Sequence, residues 1–266
     1  MQPLVLNASD VAGWVGRLWW PCLRVSGFIL AAPIASEVTV PARVKIVLTV
    51  ALGFLLAPLA PVPDALSIFS GAGVLAAARE VLIGVAIGMV VQLAFDGLQF
   101  AGQTVSMSMG LGFATLVDPQ RGASVPVLGQ LYSIVGMLSY LAVNGHLTLL
   151  AALANSYHTM PIAAAGVDEG FLSTVANWGA RIFETGLVVA LPAVVALVIV
   201  NFALGVVSRA APQLNLFGIG FTITLASGLF VLMVGLDGTM TAVGGLIDRA
   251  LQSAADLVAA PRGSAH

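Results

Sequence analysis

Charge is what this chain has least of. Only 8% of its 266 residues are Asp, Glu, Lys or Arg, while 59% are hydrophobic. Soluble domains carry roughly a quarter charged residues, so the shortage points to a polytopic membrane protein. A water-soluble all-helical enzyme is a remote alternative. Ten Lys/Arg scattered over the length, with a net charge of −2, make no basic patch, which argues against nucleic-acid binding. Cysteine is nearly absent too. The lone Cys22 has no partner for an internal disulfide or a metal pair, and beside Pro21 it reads as a small buried apolar side chain. His146, His158 and His266 stand far apart with no carboxylate or cysteine at ligand spacing, so no metal site is expected. No nucleophile elbow and no phosphate-binding glycine loop is present. The expectation is a protein that is not an enzyme, with no catalytic residue and no cofactor. Met1 to Asp10 contains no Lys or Arg and does contain an acid, so the first apolar segment is expected to stay in the mature protein.

What the chain does have is apolar runs. They fall at Val11–Ile34, Val44–Val62, Val81–Phe95, Val125–Val143, Leu147–Ile162, Ile182–Val207 and Leu214–Leu236, with a weaker amphipathic stretch at Leu246–Val258. Several are shorter than the ~20 residues that span a bilayer. Val81–Phe95 and Leu147–Ile162 are the clearest cases. Short runs joined by tight turns suggest helical hairpins that need partners to complete their burial. Asn144-Gly145-His146 is one such turn, since Asn and Gly tolerate left-handed backbone. Pro21 and Pro192 should kink their helices, and Pro58, Pro61 and Pro63 should end the second segment. Gly84 and Gly88 have the small-xxx-small spacing that lets membrane helices approach closely. No internal repeat and no soluble domain is visible. The expectation is an all-α polytopic integral membrane protein of helical hairpins, a single domain over 1–258 with a disordered tail at 259–266. Cations follow the first segment (Arg43, Lys45), the central loop (Arg121) and the long kinked segment (Arg209), and Arg249 and Arg262 lie near the C-terminus. That placement puts the N-terminus outside and the C-terminus in the cytoplasm.

The central stretch Ser106–Gln120 is too apolar for an exposed loop and too rich in Gly and Ser for a stable membrane helix. Irregular backbone at membrane depth survives only where protein buries it or where it lines a wet cavity. The thioethers of Met107 and Met109 adapt to gaps of changing shape, and Gly110 and Gly112 reach backbone angles closed to other residues. In an extended loop Met107, Met109, Leu111 and Phe113 share one side and form an apolar stopper. That reading gives a deformable closure; a loop that only packs is equally open on composition. Arg17 and Arg24 interrupt the first segment seven residues apart, on one helix face, and Arg79-Glu80 stands just before the third apolar run. Intramembrane charges usually face a protein interior or water, so these four are candidates for subunit contacts or buried charge. Arg17 and Arg24 are also compatible with snorkelling, and Arg181 with Glu184 has the spacing of a helical ion pair.

Phe100-Ala-Gly-Gln-Thr-Val-Ser-Met-Ser-Met-Gly-Leu-Gly-Phe-Ala-Thr-Leu-Val-Asp-Pro119, followed by the block from Gly122 to Gln130, closely resembles the flagellar export-gate family FliR. Pro41–Lys45, Asn144–His146 and Arg209–Phe217 agree with it in order, so the resemblance runs from about Phe28 to Leu236. The run after Gly218 departs from the family, which usually has a proline and a lysine there. The resemblance implies a structural pore subunit of the flagellar type III secretion export gate, in the bacterial inner membrane at the flagellar basal body. It implies assembly with FliP-like and FliQ-like subunits and an FlhB-like subunit, and conduction of unfolded export substrates. It also implies that the loop at about Ser106–Gln120 is a plug beneath the pore constriction. The alternatives are the injectisome T subunit, which shares the architecture, and a small secondary transporter. A transporter should show pseudo-repeats and a midplane site.

Overall fold

The structure is a computed structural model describing residues 8–61, 70–112, 127–162, 169–210 and 220–259. Among them the chain is helical: α1 Ala8–Ala31, α2 Ala42–Leu56, a 3-10 turn Ala57–Leu59, α3 Gly71–Ser108, α4 Val127–Ala142, α5 Gly145–Thr159, α6 Glu169–Ala210, α7 Phe221–Val234 and α8 Leu236–Ala259. The all-α polytopic expectation holds. Three stretches, Ala42–Leu59, Gly71–Ser108 and Glu184–Ala210, are long and apolar enough to cross a membrane. The pairs α4–α5 and α7–α8 each qualify only together, bent by 67° and 64°, as a broken span or a re-entrant loop. The break between α4 and α5 sits at Asn144, whose φ of 55° is the left-handed backbone expected of that turn.

Three boundaries differ from the hydropathy reading. The third apolar run is not the short segment Val81–Phe95 but the core of a 38-residue helix. That is nearly twice the ~20 residues a bilayer core requires. Arg79 and Glu80, which stand just before that run, and Gln92 within it have partners inside the protein and do not break the helix. The sixth run extends through Pro192 into a 42-residue helix. The weak stretch Leu246–Val258 belongs to α8, which starts ten residues earlier and buries Val243, Leu246, Ile247, Ala250, Leu251, Ala254, Leu257 and Val258. Spacings of three and four keep those residues on one helix face.

The described chain groups into two compact units. The first takes residues 1–92, 144–179 and 250–266, the second 93–143 and 180–249. In the first, α1 and the start of α3 run parallel. Arg24 meets Glu80, a Cβ on Gly84 would meet Phe28 N at 2.7 Å, one on Gly88 would meet Ala32 N at 2.8 Å, and Ser36 bonds Gln92. Each of these pairs keeps the same offset of 56 residues at four-residue steps, as two helices packed along their four-residue ridges do. Gly84 and Gly88 therefore form the close crossing that their spacing allows. Cys22 is half-buried and lies over Gly53 of α2, a packing side chain as expected. In the second unit, α4 and α6 pack on the latter part of α3 through small residues. Gly102 faces the Leu128–Gly129 backbone, Gly136 faces Leu98 and Phe95, and Gly186 faces Gly97. Phe95 and Tyr140 meet edge to face, with centroids 5.8 Å apart.

Candidate functional site

In the first unit, Arg24 occupies the centre of a buried polar cluster. Both Arg24 and Glu80 are 0% exposed. Arg24 Nε donates to Glu80 Oε2 at 2.7 Å, Nη1 to Ser156 Oγ at 2.8 Å and Nη2 to the Met160 carbonyl at 2.7 Å. Its guanidinium lies 4.4 Å from the centroid of the Tyr157 ring, and the Tyr157 hydroxyl donates to the Pro21 carbonyl. Three helices meet here for local reasons. The glycines of α3 draw α1 close enough for the ion pair, and Met160, the residue that closes α5, offers a carbonyl free of helix bonding. Glu80 Oε1 is buried and has no hydrogen-bond partner among the described residues.

Of the four charges singled out from sequence, Arg24, Arg79 and Glu80 are buried and Arg17 is exposed. The shared helix face does not give Arg17 and Arg24 a shared environment. For Arg24, snorkelling is excluded, because its head group ends on Glu80 and Ser156 inside the protein. The Arg181 side chain lies outside the described residues, so the Arg181–Glu184 pairing does too. Ser156, Tyr157 and Met160 escaped sequence reasoning. Their contacts to α1 span 132 to 136 residues, and nothing local marks them.

In the second unit, helix α3 ends inside the Met/Gly stretch. Helix runs through Ser108, so Ser106, Met107 and Ser108 are regular backbone. Gly110 N donates to Met107 O at 3.0 Å, Leu111 N to Ser106 O at 3.1 Å, and Gly110 has φ 81°. Those bonds and that angle make a Schellman terminus, with glycine at its left-handed position. The extended loop with its residues alternating on one side is therefore not what forms over 107–111. Met107 is 65% exposed, whereas Met109 is 1% exposed. Leu111, Gly110 and Gly112 are half-buried, and Phe113, with the rest of the stretch to Gln120, lies outside the described residues. Two neighbours that sequence reasoning missed hold this terminus. Asn201 Nδ2 of α6 donates to Ser108 O at 3.0 Å, and Asn201 Oδ1 accepts from Thr224 Oγ1 of α7 at 3.3 Å. Met109 lies over Gly228 of α7, where an added Cβ would come within 2.8 Å of its sulfur.

Among the described residues no group of His, Cys, Asp and Glu could hold a metal ion. The chemistry available is that of a packed, partly polar helical scaffold with one irregular terminus. Comparison with known proteins gives that scaffold its family. The family model described as bacterial export proteins, family 1, matches residues 15–250. The flagellar biosynthetic protein FliR of Pectobacterium carotovorum subsp. carotovorum is 39% identical over 229 residues, which is 86% of this chain and 87% of the relative. The FliR of Escherichia coli (strain K12) is 39% identical over 226 residues, covering 85% and 86%. That of Bacillus subtilis (strain 168) is 28% identical over 240 residues, covering 89% and 92%. With the match running through both the buried Arg24–Glu80 pair and the Met/Gly terminus, the chain belongs to the FliR family of flagellar export proteins.

Proposed function

We propose that this chain is a structural pore subunit of the flagellar type III export gate in the bacterial inner membrane. In this reading it assembles with FliP-like and FliQ-like subunits, adjoins an FlhB-like subunit, and conducts unfolded flagellar proteins. The observation that carries the reading is the Met/Gly terminus of α3. A helix that could cross a membrane ends there on Gly110, with the flexible Met107 standing largely free of its own fold. Met107, Met109, Gly110, Leu111 and Gly112 then form the described part of the plug. Met107 and Leu111 supply deformable apolar surface, the glycines let the backbone turn, and Met109 anchors it. The wide apolar exposure of α2 and of α6 supports a chain completed by lipid and neighbouring subunits.

The test is membrane conductance, or uptake of small solutes, in cells carrying the assembled gate. Met107→Ala with Leu111→Ala should raise leakage severalfold while the yield of purified complex stays unchanged. A fully assembled double variant as tight as wild type would show that the terminus only packs.

A further inference from the structure

We infer that Asn201 and Gly228 are the positioning residues of the α3 terminus, holding the Met109–Gly112 turn to α6 and α7. The last four carbonyls of a helix have no partner within it. Val105 O accepts from Met109 N, Ser106 O from Leu111 N and Met107 O from Gly110 N, all supplied by the turn itself. Ser108 O is the fourth, and its donor comes from another helix, the amide of Asn201. Asn201 stands in the apolar stretch of α6 from Glu184 to Ala210, where an amide is expensive unless bonded. Thr224 fixes which way that amide points. Its hydroxyl shares one proton between the Gly220 carbonyl at 2.9 Å and Asn201 Oδ1 at 3.3 Å, an arrangement that leaves the NH2 toward Ser108.

The second hold is steric and independent of the first. Gly228 is the notch that receives Met109: the Cγ, Sδ and Cε of Met109 all occupy the space where a Cβ on residue 228 would lie. A Cβ at residue 228 would force the Met109 side chain, 1% exposed as it sits, out of its present position. The turn is thus tied by a polar bond on one side of Met109 and by a side chain seated in a notch on the other. Both residues lie more than 90 positions from the segment they hold, so neither belongs to the Met/Gly motif.

The inference rests on the plug reading only for its effect on leakage, and the experiment separates the two. The probe is a nitroxide on Met107→Cys, an exposed position, in a Cys22→Ala background that removes the only native thiol. Its spectrum is recorded in the complex purified with its membrane partners. Asn201→Leu should raise the mobile fraction about threefold, the change that loss of one interhelical hydrogen bond of ordinary membrane strength produces, and Gly228→Ala should raise it by displacing the Met109 side chain. Leu229→Ala, on the exposed side of the same helix, should not. Asn201→Leu makes α6 more apolar, so it offers a readout even if Gly228→Ala fails to assemble. An unchanged spectrum in an assembled Asn201→Leu variant overturns the inference. Increased mobility with increased leakage supports both readings. Increased mobility without leakage supports the positioning role and removes the plug.

Discussion

At the scale of the residue, Arg24 carries the most consequential contacts in the described chain. A buried guanidinium is tolerable only when its donors are met, and here Glu80, Ser156 and Met160 meet three of them while Tyr157 covers its face. Replacing one member leaves the other charge buried and alone, which typically costs about 3–5 kcal/mol. Arg24→Leu should therefore depress the melting temperature and yield of the purified assembly, although hydropathy improves. Arg24→Met combined with Glu80→Met should recover most of that loss, because two apolar chains of similar length refill the space without charge. Equal stability of Arg24→Leu and wild type would contradict the arrangement. Of this cluster, Arg24 and Glu80 were legible as charges in apolar sequence, but their pairing was not.

At the scale of the element, the glycines differ in whether they face backbone, a side chain or open space. Gly84 and Gly88 lie against the α1 backbone at Arg24, Phe28 and Ala32, which cannot step aside as a side chain could. Gly84→Val should push α1 off α3, costing about 3 kcal/mol or more and breaking the register that joins Arg24 to Glu80. Gly205 in α6 has open space around its would-be Cβ. Gly205→Ala should be neutral, or stabilise the helix by roughly 0.5–1 kcal/mol through reduced freedom of the unfolded chain. Thermal unfolding of purified assemblies carrying each change checks both, and similar effects from the two would refute the crossing. The spacing of Gly84 and Gly88 announced a close helix contact, but the identity of the opposing helix came from the constant offset of 56 residues.

At the scale of the whole molecule, much of the apolar surface has no cover within the chain. Leu187, Val195, Val198, Ile199, Phe202 and Val206 of α6 are exposed, as are Val44, Val47, Phe54 and Leu55 of α2. Lipid can cover a spanning helix, but α5 and α7, at 15 and 14 residues, are shorter than the ~20 that a bilayer core requires. The chain made alone should then be poorly stable and readily degraded, and co-expression with FliP-like and FliQ-like partners should raise its abundance severalfold. Quantitative immunoblotting of membranes, with size analysis of the purified material, measures this. A monodisperse monomer at equal abundance in both cases would count against an obligate assembly.

The sequence alone determined the class of the molecule: scarce charge and repeated apolar runs leave few options besides membrane helices. It also determined the turn at Asn144 and the left-handed backbone at Gly110, though not that a helix ends there, because left-handed backbone is a local steric demand. Hydropathy misjudged α3, α6 and α8 because it weighs each residue by its own transfer energy. It cannot know that Glu80 has Arg24 opposite or that Gln92 meets Ser36. Tertiary structure decided which charges are buried, separating Arg17 from Arg24 on one helix face, and parted Met107 from Met109 two positions away. Those outcomes depend on what another helix presents at the point of contact. In this chain such partners stand 56 to 136 residues distant, beyond the reach of any local pattern.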